Sequence, residues 1–238
     1  MTQTSRPDGR KWNELRPIEA KAGVIKNADG SAYFKMGETV AYAAVYGPRD
    51  LHPKFLQDPS KGLLRCNYNM MPFSGIGERV RPGGSRRSKE ISMVTENALR
   101  AIVDLSEFPN AVVDVFIELP QTDAGSRCVG ICAASIALAD AGIPMKDLVA
   151  AVAVGKVHGK LAVDLTYDEE ATEGETTDIP VALVPNTDEI CLLQMDGQIS
   201  KEDLLDALKH GKDACRKIIE IQKQALKDKY KVADEGDA

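Results

Sequence analysis

The stretch from Leu119 to Gly142, LPQTDAGSRCVGICAASIALADAG, constrains the fold more than any other part of the chain. Leading into it, Val113, Val115, Ile117 and Leu119 occupy alternate positions, the period of a strand that buries one face. Pro120 ends that run, and a short polar turn delivers Gly125, Ser126 and Arg127 to the mouth of a helix rich in small residues. Gly142 and Pro144 stop the helix. The first N–H groups of a helix have no partner inside it, and its dipole places positive potential at that end. A glycine lets an anion approach the backbone, a serine hydroxyl donates a hydrogen bond, and an arginine presents a two-pronged donor to oxyanions. Those parts, in that order, describe a seat for one phosphate. They describe an ordinary helix cap equally well, with Ser126 bonded to backbone and Arg127 in solvent, and spacing alone does not choose.

A chain of 238 residues suits one large domain or two small halves packed closely together. With 43% apolar and 28% charged residues, it has the composition of a folded globular protein rather than a disordered one. Its longest apolar run falls far short of the ~20 residues that span a bilayer. The amino-terminal MTQTSRPDGRKW lacks the apolar core of a secretory leader. Five cysteines stand singly within apolar patterns, and an odd number opposes a disulfide framework. His52, His158 and His210 are scattered, and with no CxxC pair a structural zinc site is not expected. These features read as a cytoplasmic protein that does not engage membranes.

Along the chain, residues 6–16 read as an extended arm. Residues 18–25, 31–37 and 38–48 then alternate as three strands of an antiparallel meander, with turn chemistry at Asn27–Gly30 and Gly37–Glu38. LLRCNYNMMPF (63–73) is a further strand, followed by the long loop GIGERVRPGGS. Ile91, Val94, Ala98, Ile102 and Leu105 form the apolar stripe of a helix that starts near Arg87. After the small-residue helix come strand candidates at 148–157, 160–165, 179–185 and 189–197, then a long amphipathic helix from Ser200 to about Lys229. Strands followed by a helix, twice over, predict an α+β fold of two similar halves, about 17–147 and 148–230. The terminal VADEGDA is expected to be disordered.

The net charge of −6 opposes indiscriminate binding to nucleic acid, but the charges are segregated. Residues 61–90 carry Lys61, Arg65, Arg79, Arg81, Arg86, Arg87 and Lys89 against two acids. Residues 164–178 carry Asp164, Asp168, Glu169, Glu170, Glu173, Glu175 and Asp178 with no base. A cationic segment of that kind grips a polyanion, and an acidic one holds a metal ion or a proton; two solvated loops of opposite sign are the plainer alternative. Arg86 and Arg87 stand at a helix start, where cations oppose the dipole, so an anion between them has something to offset. Arg65 and Tyr68 share one strand, an arrangement that offers a phosphate clamp and a stacking face for an unpaired base.

The segments TDAGSRCVGICAASIALADAGIPM, Arg65–Tyr68, Gly83–Arg87 and Asp164–Asp178 occur in an order that resembles the RNase PH family of phosphorolytic exoribonucleases. Within that family they are similar to the catalytic ring subunits of archaeal exosomes. The likeness runs from about Arg6 to Tyr230. It implies an α+β RNase PH-type domain, of the ribosomal-protein-S5-domain-2-like kind. Phosphate would be held by Gly125, Ser126 and Arg127. RNA would be held by Arg86 and Arg87, with Arg65 at a channel constriction and Tyr68 stacked on a base near the 3′ end. Asp178, Glu170 and Arg127 would be catalytic. The acidic segment departs from the family pattern: Asp164–Leu165 and Asp178–Ile179–Pro180 match its ends, but the interval before Asp178 is longer and the middle acid falls on Glu170. Asp168 or Glu170 would therefore be the second carboxylate.

The resemblance thus implies 3′-to-5′ degradation of single-stranded RNA, with inorganic phosphate as co-substrate and nucleoside 5′-diphosphates as products. Mg²⁺ would sit on Asp178 and Glu170, since a 3′-alkoxide leaving group needs a metal ion or a proton. The partners it implies are a homologous, catalytically silent ring subunit, three copies of each alternating, and RNA-binding cap subunits. The alternatives are a hydrolytic metal-dependent nuclease, a non-catalytic RNA-binding ring subunit, and a homohexameric RNase PH-type enzyme that trims tRNA 3′ ends.

Overall fold

Period-2 alternation in the first fifty residues produces an antiparallel meander, β1 (Ile18–Ala22), β2 (Gly30–Met36) and β3 (Thr39–Asp50). These elements belong to a computed structural model that describes residues 6–76, 79–172 and 176–231. Ile18 lies opposite Met36, and Met36 opposite Thr39 across the Gly37–Glu38 turn. β4 (Leu63–Met70) and β5 (Ala111–Gln121) then pair in parallel, joined through α1 (Arg86–Arg100). The first sheet has the order β1-β2-β3-β5-β4.

The second sheet is antiparallel throughout, in the order β7-β6-β8-β9, from β6 (Ala150–Val157), β7 (Lys160–Val163), β8 (Thr177–Val184) and β9 (Glu189–Leu193). The strands fall where alternation and turn residues predicted them, with several ends shifted: β3 runs on to Asp50 and β8 starts at Thr177, whereas others are shorter. β1 stops at Gly23 and β7 at Asp164, because both residues adopt left-handed backbone, φ +73° and +57°.

Between the sheets lies α2 (Ser126–Asp140), packed on β2, β3 and β5 on one side and on β6 and β8 on the other. Apolar residues all round the helix allow this double burial, and only Arg127 and Ala139 escape it. Small side chains let the layers approach: a Cβ on Gly130 would sit 3.2 Å from Ile117 and 3.6 Å from the Tyr68 ring. The long α4 (Lys201–Lys229) covers β6 and reaches β1, and its buried Gln222 donates to the carbonyls of Cys132 (3.1 Å) and Val149 (3.0 Å). One hydrophobic core therefore runs through both sheets. Each fully buried Val, Leu or Ile contributes about 1.5–3 kcal/mol to it.

Two expectations need correction here. The arm 6–16 is turned rather than extended, and its Arg6 and Arg16 are buried, as described below. A short helix with no counterpart among the predicted elements, α3 (Tyr167–Glu170), follows β7. Its capping box, Thr166 with Glu169, was legible as a Thr-x-x-Glu pattern. The expected disordered tail VADEGDA, residues 77–78 of the expected loop, and Glu173 and Glu175 of the acidic run lie outside the described residues.

Candidate active site

The mouth of α2, the first turn of α1, the end of β4, α3 and the start of β8 converge on a cavity of about 320 Å³. Its lining includes four charged side chains, Arg87 from α1, Arg127 from α2, Glu170 from α3 and Asp178 from β8, with Ser126 of α2 beside them. The fold thus brings together the predicted phosphate seat, one of the three predicted RNA-binding arginines and both predicted acids.

The seat owes its shape to the loop before α2. Ala124 and Gly125 are both left-handed, φ +57° and +59°. The Asp123 carbonyl accepts from the Arg16 guanidinium and the Ala124 carbonyl from Thr39 Oγ1 at 2.7 Å. In a trans peptide the N–H points opposite the carbonyl. With both carbonyls drawn down into the protein, the N–H groups of Ala124 and Gly125 turn the other way. Successive amides in this geometry make an anion-binding concavity, and no side chain caps the helix behind them. Gly125, not Ser126, is the cap, Ser126 is 7% exposed, and Arg127 is held by Gln194 Oε1 at the cavity wall rather than in solvent.

The acids behave as a pair. Burial, together with the charge of Asp178, pushes the Glu170 carboxyl up to about 7 against the opposing pull of Arg16, Arg87 and the Gly125 amide. Burial and Asp196 raise Asp178 to about 6, opposed by Arg127 and Arg87. Asp178 Oδ1 is buried without a hydrogen-bond partner. Two crowded carboxyls with an unpartnered oxygen fit a retained proton or a hard cation held through oxygen and water, the manner in which Mg²⁺ binds. Asp168 is excluded from this pair, since it is exposed and lines a different cavity beside Lys35 and Thr166.

The remaining acids have another use. Asp164, 1% exposed, receives Arg16 at 2.7 and 3.0 Å, and Glu169, 2% exposed, receives Arg6 at 2.6 and 2.7 Å. These structural pairs anchor the amino-terminal arm to the acidic segment. The match of Arg6, Arg10 and Arg16 to an acidic run was the available sign.

The RNA-binding candidates divide. Arg87 faces the cavity, whereas Arg86, about 100° round the helix, is exposed and lies outside its lining. Arg65 is exposed on the outer face of β4 and engages Asp114, with one prong at 2.9 Å, away from the cavity. Tyr68 requires a correction: it is 4% exposed, its ring packed against Gly130 between β4 and α2, so it presents no stacking face. The residue lines the cavity, but its hydroxyl is itself buried, near Ser126, and meets no partner of good geometry among the described residues.

Residues 14–144 match domain 1 of the 3′ exoribonuclease family, RNase PH, and residues 147–214 match its domain 2. The exosome complex component Rrp41 of Thermococcus kodakarensis is 52% identical over 231 residues, 97% of this chain and 92% of that protein. Its counterpart in Methanopyrus kandleri is 49% identical over 225 residues, 94% of this chain and 93% of that protein. The crystal structure of rice Rrp46 superimposes with a TM-score of 0.82 at 26% identity, covering 93% of this chain and all of that one (100%). A chain of the Archaeoglobus fulgidus exosome with RNA bound to the active site shares the fold, with a TM-score of 0.76 at 24% identity over 96% of this chain and 93% of that one. With family models and relatives both spanning most of its length, the chain belongs to the RNase PH family of 3′ exoribonucleases.

Proposed function

We propose that this chain is the catalytic ring subunit of an archaeal-type exosome, degrading single-stranded RNA from the 3′ end by phosphorolysis. The observation that carries the reading is the placement of an anion seat, Gly125–Arg127, against the carboxyl pair Glu170 and Asp178 in one cavity. A hydrolytic nuclease has no use for a second anion site. Inorganic phosphate on the helix mouth, held by Ser126 and Arg127, attacks the phosphorus of the terminal linkage. The bond from that phosphorus to the 3′ oxygen of the preceding nucleotide breaks. The products are a nucleoside 5′-diphosphate and an RNA one residue shorter, so the chemistry is a transfer to phosphate and not a hydrolysis.

Two anions must approach each other, and neutralising them is most of the task. Arg127 faces the incoming phosphate, while Arg87 with Arg86 holds the strand through its backbone, without reading bases. The 3′ oxygen leaves with a proton from the Glu170–Asp178 pair, whose raised values keep a proton available near neutrality. Mg²⁺, when bound, would sit on the same two carboxyls and absorb negative charge.

The identity to Rrp41 proteins supports a ring in which three copies alternate with a homologous silent subunit beneath RNA-binding caps. The halves 17–147 and 148–230 form one working unit in this reading. The experiment is to incubate the chain, with and without that sister subunit, with 3′-tailed RNA in buffers with and without inorganic phosphate. Degradation only where phosphate is present supports the proposal, and equal rates in both buffers reject it.

A further inference from the structure

The anion seat and the acid helix α3 come from segments far apart in sequence, and one side chain joins them. Arg16 lies under both. Its backbone N–H and Nε donate to Asp164 Oδ2 at 2.8 and 3.0 Å, and Nη2 donates to Asp164 Oδ1 at 2.7 Å. Nη1 turns the other way, to the Asp123 carbonyl and to Asp123 Oδ2 at 3.3 Å. The other Asp123 oxygen, Oδ1, accepts the Tyr167 N–H at 2.9 Å, at the start of the helix that ends in Glu170. The Arg16 stem runs against Gly37, and Nη2 would lie 3.4 Å from a Cβ on Gly125, so the guanidinium forms the floor of the loop.

We propose that Arg16, acting through Asp123, is a positioning residue that fixes the distance between the phosphate seat and Glu170. The inference rests on the phosphorolytic reading and goes beyond it, because Arg16 touches neither RNA nor phosphate. The physical reason is the planar fork. A guanidinium satisfies Asp164 and Asp123 at once and, by holding the Asp123 carbonyl, keeps the Ala124 amide turned toward the cavity. A lysine keeps the charge beside Asp164 but has no second prong to reach Asp123. The seat then loosens while the arm stays paired. Small displacements of reacting groups lower rates steeply.

The test is Arg16→Lys, with Asp123→Asn as the second variant, each assembled with the sister subunit. Asp123→Asn leaves the Arg16–Asp164 pair intact and alters only the loop side, so it remains informative if Arg16→Lys fails to fold. The readouts are KM for inorganic phosphate, kcat, RNA affinity and thermal midpoint. The expected result is a phosphate KM raised about tenfold or more and a lowered kcat, with RNA affinity unchanged because Arg86 and Arg87 are untouched. A folded variant with the parental phosphate KM would overturn the inference, as would an equal loss of RNA affinity. If the parent protein instead releases monophosphates without phosphate, the phosphorolytic reading itself fails and the inference with it. A parent that needs phosphate beside variants that keep its KM condemns the positioning role alone.

Discussion

Glu170 and Asp178, brought together from α3 and β8, line one cavity, and burial, with the charge of Asp178, holds the Glu170 carboxyl above its ordinary range. This relationship sets a stability cost with a definite sign. Glu170 rises from 4.5 to about 7, so the folded state binds its proton more tightly than the unfolded chain does. The group costs nothing below about pH 4, where both states are protonated, and its full cost appears above about pH 7. Each pH unit between the two values corresponds to roughly 1.4 kcal/mol. Glu170→Gln is therefore expected to raise the thermal midpoint at pH 8 and leave it unchanged at pH 4. A midpoint raised equally at both values would show that the gain is packing and not relief of charge.

The strand-holding and proton-handling roles separate by mutation. Asp178→Ala is expected to abolish turnover with RNA binding retained. Replacing Arg86 and Arg87 together is expected to weaken binding and flatten its salt dependence, by about one unit of slope for each phosphate group that is no longer neutralised. Filter binding across a salt series, alongside single-turnover assays, checks the division. Equal loss of RNA affinity in both variants contradicts it.

Tyr68 offers a sharper case, because its ring is buried and its hydroxyl, buried near Ser126 at the cavity wall, meets no partner of good geometry among the described residues. Tyr68→Phe preserves any stacking surface and removes only the hydroxyl beside Ser126. It is expected to raise KM for phosphate several-fold and to leave affinity for RNA unaltered. Unchanged phosphate kinetics in Tyr68→Phe, with lowered RNA affinity in Tyr68→Leu, would restore the stacking role.

Much of this was legible in the sequence where a physical period carries the information. The alternation of Val113 to Leu119 and the apolar sides of α2 mark the strand and the helix that everything else packs on. The parts of the proposed phosphate seat were legible, but the backbone directions that shape its loop are set by Thr39 and Arg16, which are distant in sequence. The acidic run misled by its uniformity. Asp164 and Glu169 are spent on buried arginines, Asp168 faces another cavity, and of the acids among the described residues of the run only Glu170 and Asp178 face the site. Charge counting cannot make that distinction, because it depends on which face each residue of a four-residue helix presents. Tyr68 failed for a related reason: strand alternation gave its side but not that α2 covers it.

The ring proposal has its own consequence. Weak contacts become a processive grip when several copies surround one strand, since each further contact is effectively intramolecular. Arg65, exposed on β4 and engaged by Asp114, would line the pore. A pore that admits single strands excludes duplexes, so degradation by the assembled pair is expected to stall several nucleotides short of a stable hairpin. Gel analysis of a 3′-tailed hairpin, with native mass measurement of the co-expressed subunits, checks this. A monomer that digests through the stem contradicts it.

The most direct test of the central claim is the identity of the released nucleotide. Uniformly labelled single-stranded RNA, digested by the assembled protein in phosphate buffer and resolved by anion-exchange chromatography, is expected to yield nucleoside 5′-diphosphates and to remain intact when phosphate is omitted. Nucleoside 5′-monophosphates released in phosphate-free buffer would contradict the account.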